Sequence, residues 1–109
     1  MSYKVITIPK FEKELKRLAK KYPSLKSEYI VLVRNLSEEP EQGTPIGNHC
    51  YKIRMAIASK GKGKSGGARV ITYLQVSDTA VYLLSIYDKS EKENIDIHEL
   101  KELLKHIPQ

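Results

Sequence analysis

From Phe11 onward the apolar residues Phe11, Leu15, Leu18 and Tyr22 recur at helical spacing, with Lys and Glu between them. That periodicity predicts an amphipathic helix, and Pro9 suits its first turn. Before it, Tyr3 to Ile8 alternates with β-branched residues and stops at Pro9, as a short strand does. Tyr22-Pro23-Ser24 breaks the helix. Ser24 is placed to cap a second helix whose buried stripe is Leu25, Tyr29, Leu32, Val33 and Leu36. Ser37 to His49 holds two prolines and two glycines and reads as a loop. Cys50 to Ala58 then alternates, with Ile53, Met55 and Ile57 on one face and Lys52 and Arg54 on the other. Gly67 to Val76 and Thr79 to Tyr87 predict two further strands, joined by a tight turn at Ser77-Asp78. From Asp96, residues Ile97, Leu100, Leu103, Leu104 and Ile107 fall at helical spacing and predict a last helix docked on the sheet.

The predicted order is strand, helical hairpin, three-strand antiparallel meander, helix. That is an α+β class, with helices packed on a small sheet. The chain has 109 residues, 40% of them hydrophobic, which fits one domain over 1–109 without a deep enclosed pocket. Its formal charge of +6 favours a polyanionic partner. The single cysteine, Cys50, excludes an internal disulfide and fits a reducing, cytoplasmic setting. No long apolar run opens the sequence, so neither a signal peptide nor a membrane span is expected.

The stretch "ASKGKGKS" at 58–65 matches a relaxed phosphate-loop pattern. Such a loop must open a helix, whose first N–H groups face the phosphates. Here "GGARVITY" follows, which is a strand. No acidic residue at a buried strand end offers itself as a magnesium ligand, so a nucleotide pocket is not expected. What remains is a loop with Lys60, Lys62 and Lys64, either a solvated hairpin end or a phosphate-backbone contact.

Neighbouring strands carry more positive charge: Lys52 and Arg54 before the loop, Arg69 after it, and Lys89 after the last strand, whose end adds the phenol of Tyr87 and the carboxylate of Asp88. Half-buried strand positions given to Lys and Arg are costly to desolvate, so a role beyond stability is indicated. The alternative is a structural cluster in which Arg54 and Arg69 pair with Glu91 or Glu93. His49 lies beside Cys50, but there is no second cluster at zinc spacing, so no metal site is expected. His98 and His106 are expected on the surface of the last helix.

"HCYKIRM", then "GGARVITYLQV", then "VYLLSIYDKSEKENI" resemble the RelE/HigB-like toxins of toxin–antitoxin modules, and the likeness extends over nearly the whole chain. The glycine-rich "GKGKSGGARVI" and "YDKSEKENI" resemble the HigB-like branch especially. The resemblance implies a RelE-like fold and a metal-independent endonuclease, without cofactor, that cuts mRNA in the ribosomal A site. It implies as partners the ribosome, its mRNA and a cognate antitoxin, a small helix-turn-helix protein. By position, the family's basic sheet residues fall on Lys52, Arg54 and Arg69, and the basic residue after the last strand on Lys89. RelE-type members have a tyrosine further on, where this chain has Glu93-Asn94-Ile95. Some HigB-like relatives instead use an aromatic and an acidic residue at the end of the last strand, as Tyr87 and Asp88 stand here. Arg54 and Arg69 suit charge stabilisation. Lys52, crowded by cations, and Asp88 are rival bases. Tyr87 would stack on a base or orient the phosphate, and Lys89 would act as acid or clamp. Two other readings stay open: a gyrase-poisoning toxin of the ParE type, and a non-catalytic nucleic-acid-binding domain.

Overall fold

The computed structural model describes residues 2–61, 63 and 66–108. Strand β1 (Lys4–Thr7) leads into α1 (Pro9–Lys21) and α2 (Leu25–Glu38); strands β2 (Thr44–Gly47), β3 (Cys50–Met55), β4 (Ala68–Gln75) and β5 (Ala80–Asp88) follow, then α3 (Ile97–Leu104). The sheet runs β1-β5-β4-β3-β2. β1 is parallel to β5, and the other pairings are antiparallel. This is the α+β arrangement expected from the hydrophobic pattern, with β2 as an addition.

β2 lies inside the segment expected as a loop, because Pro45 and Gly47 read as breakers. Pro45 is tolerated because β2 is an edge strand, where a missing N–H harms no ladder. Gly47 pairs with Cys50, so Asn48-His49 is a two-residue hairpin turn. Both turn residues have positive φ, 55° and 62°, as a type I′ turn demands.

β3 stops at Met55, short of the expected Ala58. The chain turns there into a 3₁₀ turn at Ala58–Lys60, closed by Gly61 in the left-handed region. Thr79 also has positive φ and ends the turn at Val76–Asp78, so β5 starts one residue later than expected. Ser24 stands at the N-cap position of α2, but its side chain does not cap. Its hydroxyl donates to the Glu28 carboxylate and accepts from the Ser59 N–H, with the Ser59 hydroxyl 2.9 Å away. Asp96, by contrast, caps α3 by accepting from the His98 N–H at 2.7 Å.

The register between β4 and β5 positions the site. Arg69 faces Tyr87 and Ile71 faces Ser85, yet Thr72 faces Leu83, so Leu84 is an extra residue in β5. On one sheet face, Ile53, Val70, Leu83 and Ile86 belong to the core that includes Phe11 and Leu18 of α1 and Leu25, Leu32 and Leu36 of α2. α3 buries Leu100 and Leu103, and Leu100 lies beside Lys52 of the opposite face. Beyond Leu83, no strand among the described residues flanks β5 on the β1 side. Glu14 of α1 fills that gap by accepting from the Ile86 N–H at 3.2 Å and the Ser85 hydroxyl at 3.0 Å.

Gly67 enters β4 under the end of β3. A Cβ there would lie 2.2 Å from the Met55 carbonyl oxygen. Gly67→Ala is therefore expected to lower stability by about 1–3 kcal/mol through overpacking, read as a lower urea midpoint at unchanged slope. An unchanged midpoint would mean that the β3–β4 connection yields freely.

Candidate functional site

Arg54 of β3, Arg69 of β4 and Tyr87 of β5 stand opposite one another across three adjacent strands. The pleat therefore directs all three to one face. Lys52 is one pleat along β3 on that face. Lys89 follows β5 directly, and its N–H donates to the Gly67 carbonyl at 3.0 Å. Lys52, Arg54, Arg69 and Lys89 line one cavity of about 270 Å³, together with Glu93 and Asn94.

The four cations differ in their surroundings. Arg69 is buried, and its Nη1 donates to the Ala68 carbonyl at 3.2 Å. Burial, and then the nearby Arg54, push the Arg69 guanidinium down from its ordinary value. Arg54 is exposed. The Lys52 ammonium donates to Asn94 Oδ1 at 3.2 Å. Among the described residues, no ion pair joins Lys52, Arg54 or Lys89 to a carboxylate. Glu91, one of the acids considered for Arg54 and Arg69, lies instead 3.0 Å from Arg17 and 4.0 Å from Lys21. Like charges gathered on one cavity form a site for an external anion.

Tyr87 does not offer a ring to a nucleobase here. It is 4% exposed, and the Lys92 ammonium sits 5.2 Å from its ring centroid. Burial pushes its phenol upward, and Arg69 opposes that. Its hydroxyl is buried near the Ile95 backbone, outside good hydrogen-bonding geometry. In this arrangement Tyr87 is the cross-strand neighbour of Arg69 on the same face.

Asp88 departs furthest from the sequence expectation. It points to the other face of the sheet and is fully buried. One carboxylate oxygen accepts from the Lys60 ammonium at 2.5 Å, the Ser90 N–H at 2.9 Å and the Ser90 hydroxyl at 2.7 Å. The other accepts from the Tyr22 hydroxyl at 2.5 Å. Burial pushes the Asp88 carboxyl up, but these donors outweigh it and hold it well below the usual carboxylate range. An inaccessible, weakly basic carboxylate is not a proton acceptor for a substrate, so the reading of Asp88 as a base is corrected. Asp88 is also the buried acid at a strand end that was not anticipated, and Lys60 rather than a metal answers its charge.

The same contacts correct Lys60. Its side chain is 11% exposed, and its ammonium also donates to the Gly66 carbonyl at 2.7 Å and Ser90 Oγ at 3.3 Å. It is an internal anchor and presents no free charge to a polyanion. Lys62 and Lys64, the other loop lysines considered for RNA contact, lie outside the described residues.

Glu93 and Asn94 reach the cavity because the chain reverses sharply after β5. Ser90 bonds the Asp88 side chain, while the Glu91 and Lys92 N–H groups both donate to the Asp88 carbonyl at 3.0 Å. The signal was the Asp-Lys-Ser run after an apolar strand, a local turn motif. Among the described residues, no group of three or more His, Cys, Asp or Glu could hold a metal ion. His98 and His106 are exposed, and burial raises the Cys50 thiol to about 12. No described helix is long and apolar enough to cross a membrane.

Solved structures share this architecture. A mutant of the E. coli toxin RelE in the free state superposes with a TM-score of 0.66 at 17% identity, over 99% of this chain and 100% of that one. The isolated E. coli RelE toxin gives 0.61 at 17% identity, over 98% and 100%. The toxin–antitoxin complex RelBE2 from Mycobacterium tuberculosis gives 0.61 at 18%, over 81% and 92%. At such identities these likenesses speak for the fold. The sequence profile of the family described as RelE toxin of the RelE / RelB toxin-antitoxin system matches residues 10–107. The chain therefore belongs to the RelE toxin family of toxin–antitoxin systems.

Proposed function

We propose that this toxin is a ribosome-dependent mRNA endonuclease, controlled by a cognate antitoxin. The observation that carries this reading is the convergence of Lys52, Arg54, Arg69 and Lys89 on one cavity beside Glu93. In the proposed reaction, the 2′-oxygen of the nucleotide attacks the adjacent phosphorus while the bond to the 5′-oxygen breaks. The 2′-hydroxyl proton leaves to a base, and a proton reaches the departing 5′-oxygen. The products are a cyclic 2′,3′-phosphate and a 5′-hydroxyl. The need for a 2′-hydroxyl restricts the chemistry to RNA.

Arg54 and Arg69 stabilise the charge that grows on the phosphoryl oxygens, each through a planar fork of donors. Arg69 arrives pre-positioned, because it is buried and its Nη1 bonds the Ala68 carbonyl. Glu93 joins Lys52 as a candidate base now that Asp88 is set aside, and Lys89 donates a proton to the leaving oxygen. A substrate oriented on the ribosome would meet these groups already aligned.

Primer extension on an mRNA translated with purified toxin is the direct test. Breaks are expected within codons at the ribosomal A site, and the same mRNA without ribosomes should stay intact. A DNA gyrase cleavage assay is expected to show no trapped complexes. Intact mRNA together with trapped gyrase would replace this reading with that of a gyrase poison. The RelBE2 neighbour, a toxin–antitoxin complex, supports the partner assignment, and co-expression of the antitoxin should restore growth.

A further inference from the structure

A second cavity, of about 230 Å³, adjoins the cationic one and is lined by Ile46, Lys52, Asn94, Ile95, Ile97 and Leu100. Lys52 and Asn94 line both. We infer that this second cavity is a nucleobase subsite whose donors select keto bases, guanine and uracil, over adenine and cytosine. The inference rests on the phosphate-binding reading of the neighbouring cavity.

The walls supply what a base needs. Ile46, Ile95 and Ile97 offer apolar surface to the ring faces, and Ile97 at the start of α3 is 47% exposed. A nucleotide with its phosphate among Arg54, Arg69 and Lys89 can lay its base in the adjoining recess without leaving the protein. The polar groups set the selectivity. Lys52 donates to Asn94 Oδ1, which turns that oxygen toward the ammonium and the NH₂ away from it. An ammonium carries only donors. The recess therefore presents two donor groups. Guanine O6 and N7 or uracil O4 can accept from them, whereas the amino groups of adenine and cytosine would meet donors head-on.

The test uses the full chain and five probes: inorganic phosphate and the 3′-monophosphates of guanosine, uridine, adenosine and cytidine. NMR follows the isoleucine methyls and the arginine side chains. All five probes should shift Arg54 and Arg69, and only the nucleotides should shift the Ile46 and Ile97 methyls. Guanosine and uridine monophosphates should bind about 5–10-fold more tightly than the other two. Asn94→Asp exchanges the amide donor for an acceptor on an exposed loop, and it should reverse that order. If the arginines respond but the methyls do not, the subsite is wrong and the phosphate site stands. Equal affinity for all four nucleotides, or an order unchanged in Asn94→Asp, overturns the donor-based selection. If neither arginine responds to phosphate, the nuclease reading fails, and the subsite with it.

Discussion

Arg54→Ala and Arg69→Ala should each cut mRNA cleavage at least about 100-fold, the scale seen when one preorganised donor to a developing oxyanion is removed. The two variants should differ in stability. Arg54 is exposed, and it stands opposite another guanidinium. Deleting it removes a repulsion and no ion pair among the described residues. Its unfolding free energy should stay within about 0.5 kcal/mol of the parent or rise, and any rise should shrink as salt is added. A gain in stability with a loss of activity marks a charge cluster kept for function. Arg69 is buried, so its alanine variant also leaves a void and loses the bond to the Ala68 carbonyl. Arg69→Lys keeps the charge but loses the fork, and it should recover only a minor part of the rate. Single-turnover cleavage on programmed ribosomes and urea denaturation read the two quantities separately. Full toxicity in folded Arg54→Ala and Arg69→Ala proteins would remove the cationic cavity from the chemistry.

The parts of this molecule that periodicity governs were legible in the sequence. α1, α2, α3 and the β3–β4–β5 meander follow from apolar spacing, because burial of one face dictates that spacing. Arg54, Arg69 and Tyr87 could be placed together from strand adjacency alone. What stayed hidden depends on partners distant in sequence. β2 is a strand because β3 accepts it, although Pro45 and Gly47 argue against one locally. β1 pairs with β5 after a long excursion of the chain, and no local pattern carries that information. Asp88 looked like an active-site acid because it sits between Tyr87 and Lys89. Alternation along a strand, however, sends neighbours to opposite faces, and that rule applied to β5 already separated Asp88 from Tyr87. Lys60 looked exposed because it belongs to a glycine- and lysine-rich loop. Only the fold shows a buried carboxylate waiting beneath it.

Lys60→Met should lower stability by about 3–5 kcal/mol, because it leaves the Asp88 carboxylate buried without its counter-ion. Asp88→Asn should do similar damage by stranding the ammonium. The double variant Lys60→Met/Asp88→Leu should recover much of the loss, since apolar replacement of a buried pair is often neutral. Equal and additive losses would show that the two side chains do not act as a pair. The pH dependence has a definite sign. The folded state holds the Asp88 carboxyl below its unfolded value, so its contribution is present above an ordinary aspartate pKa of about 3.9 and fades as pH falls further. The stability gap between the parent and Asp88→Asn should therefore be constant near neutrality and narrow below about pH 4. The pair also bears on cleavage. The Lys60 ammonium ties Gly66 to Ser90, and between those ties the Lys89 N–H bonds the Gly67 carbonyl. Loosening Lys60 frees the turn that carries Lys89, so folded Lys60→Met should cleave more slowly while its ribosome association keeps the parent's salt dependence. A reduced salt slope would instead return Lys60 to the surface as a phosphate contact.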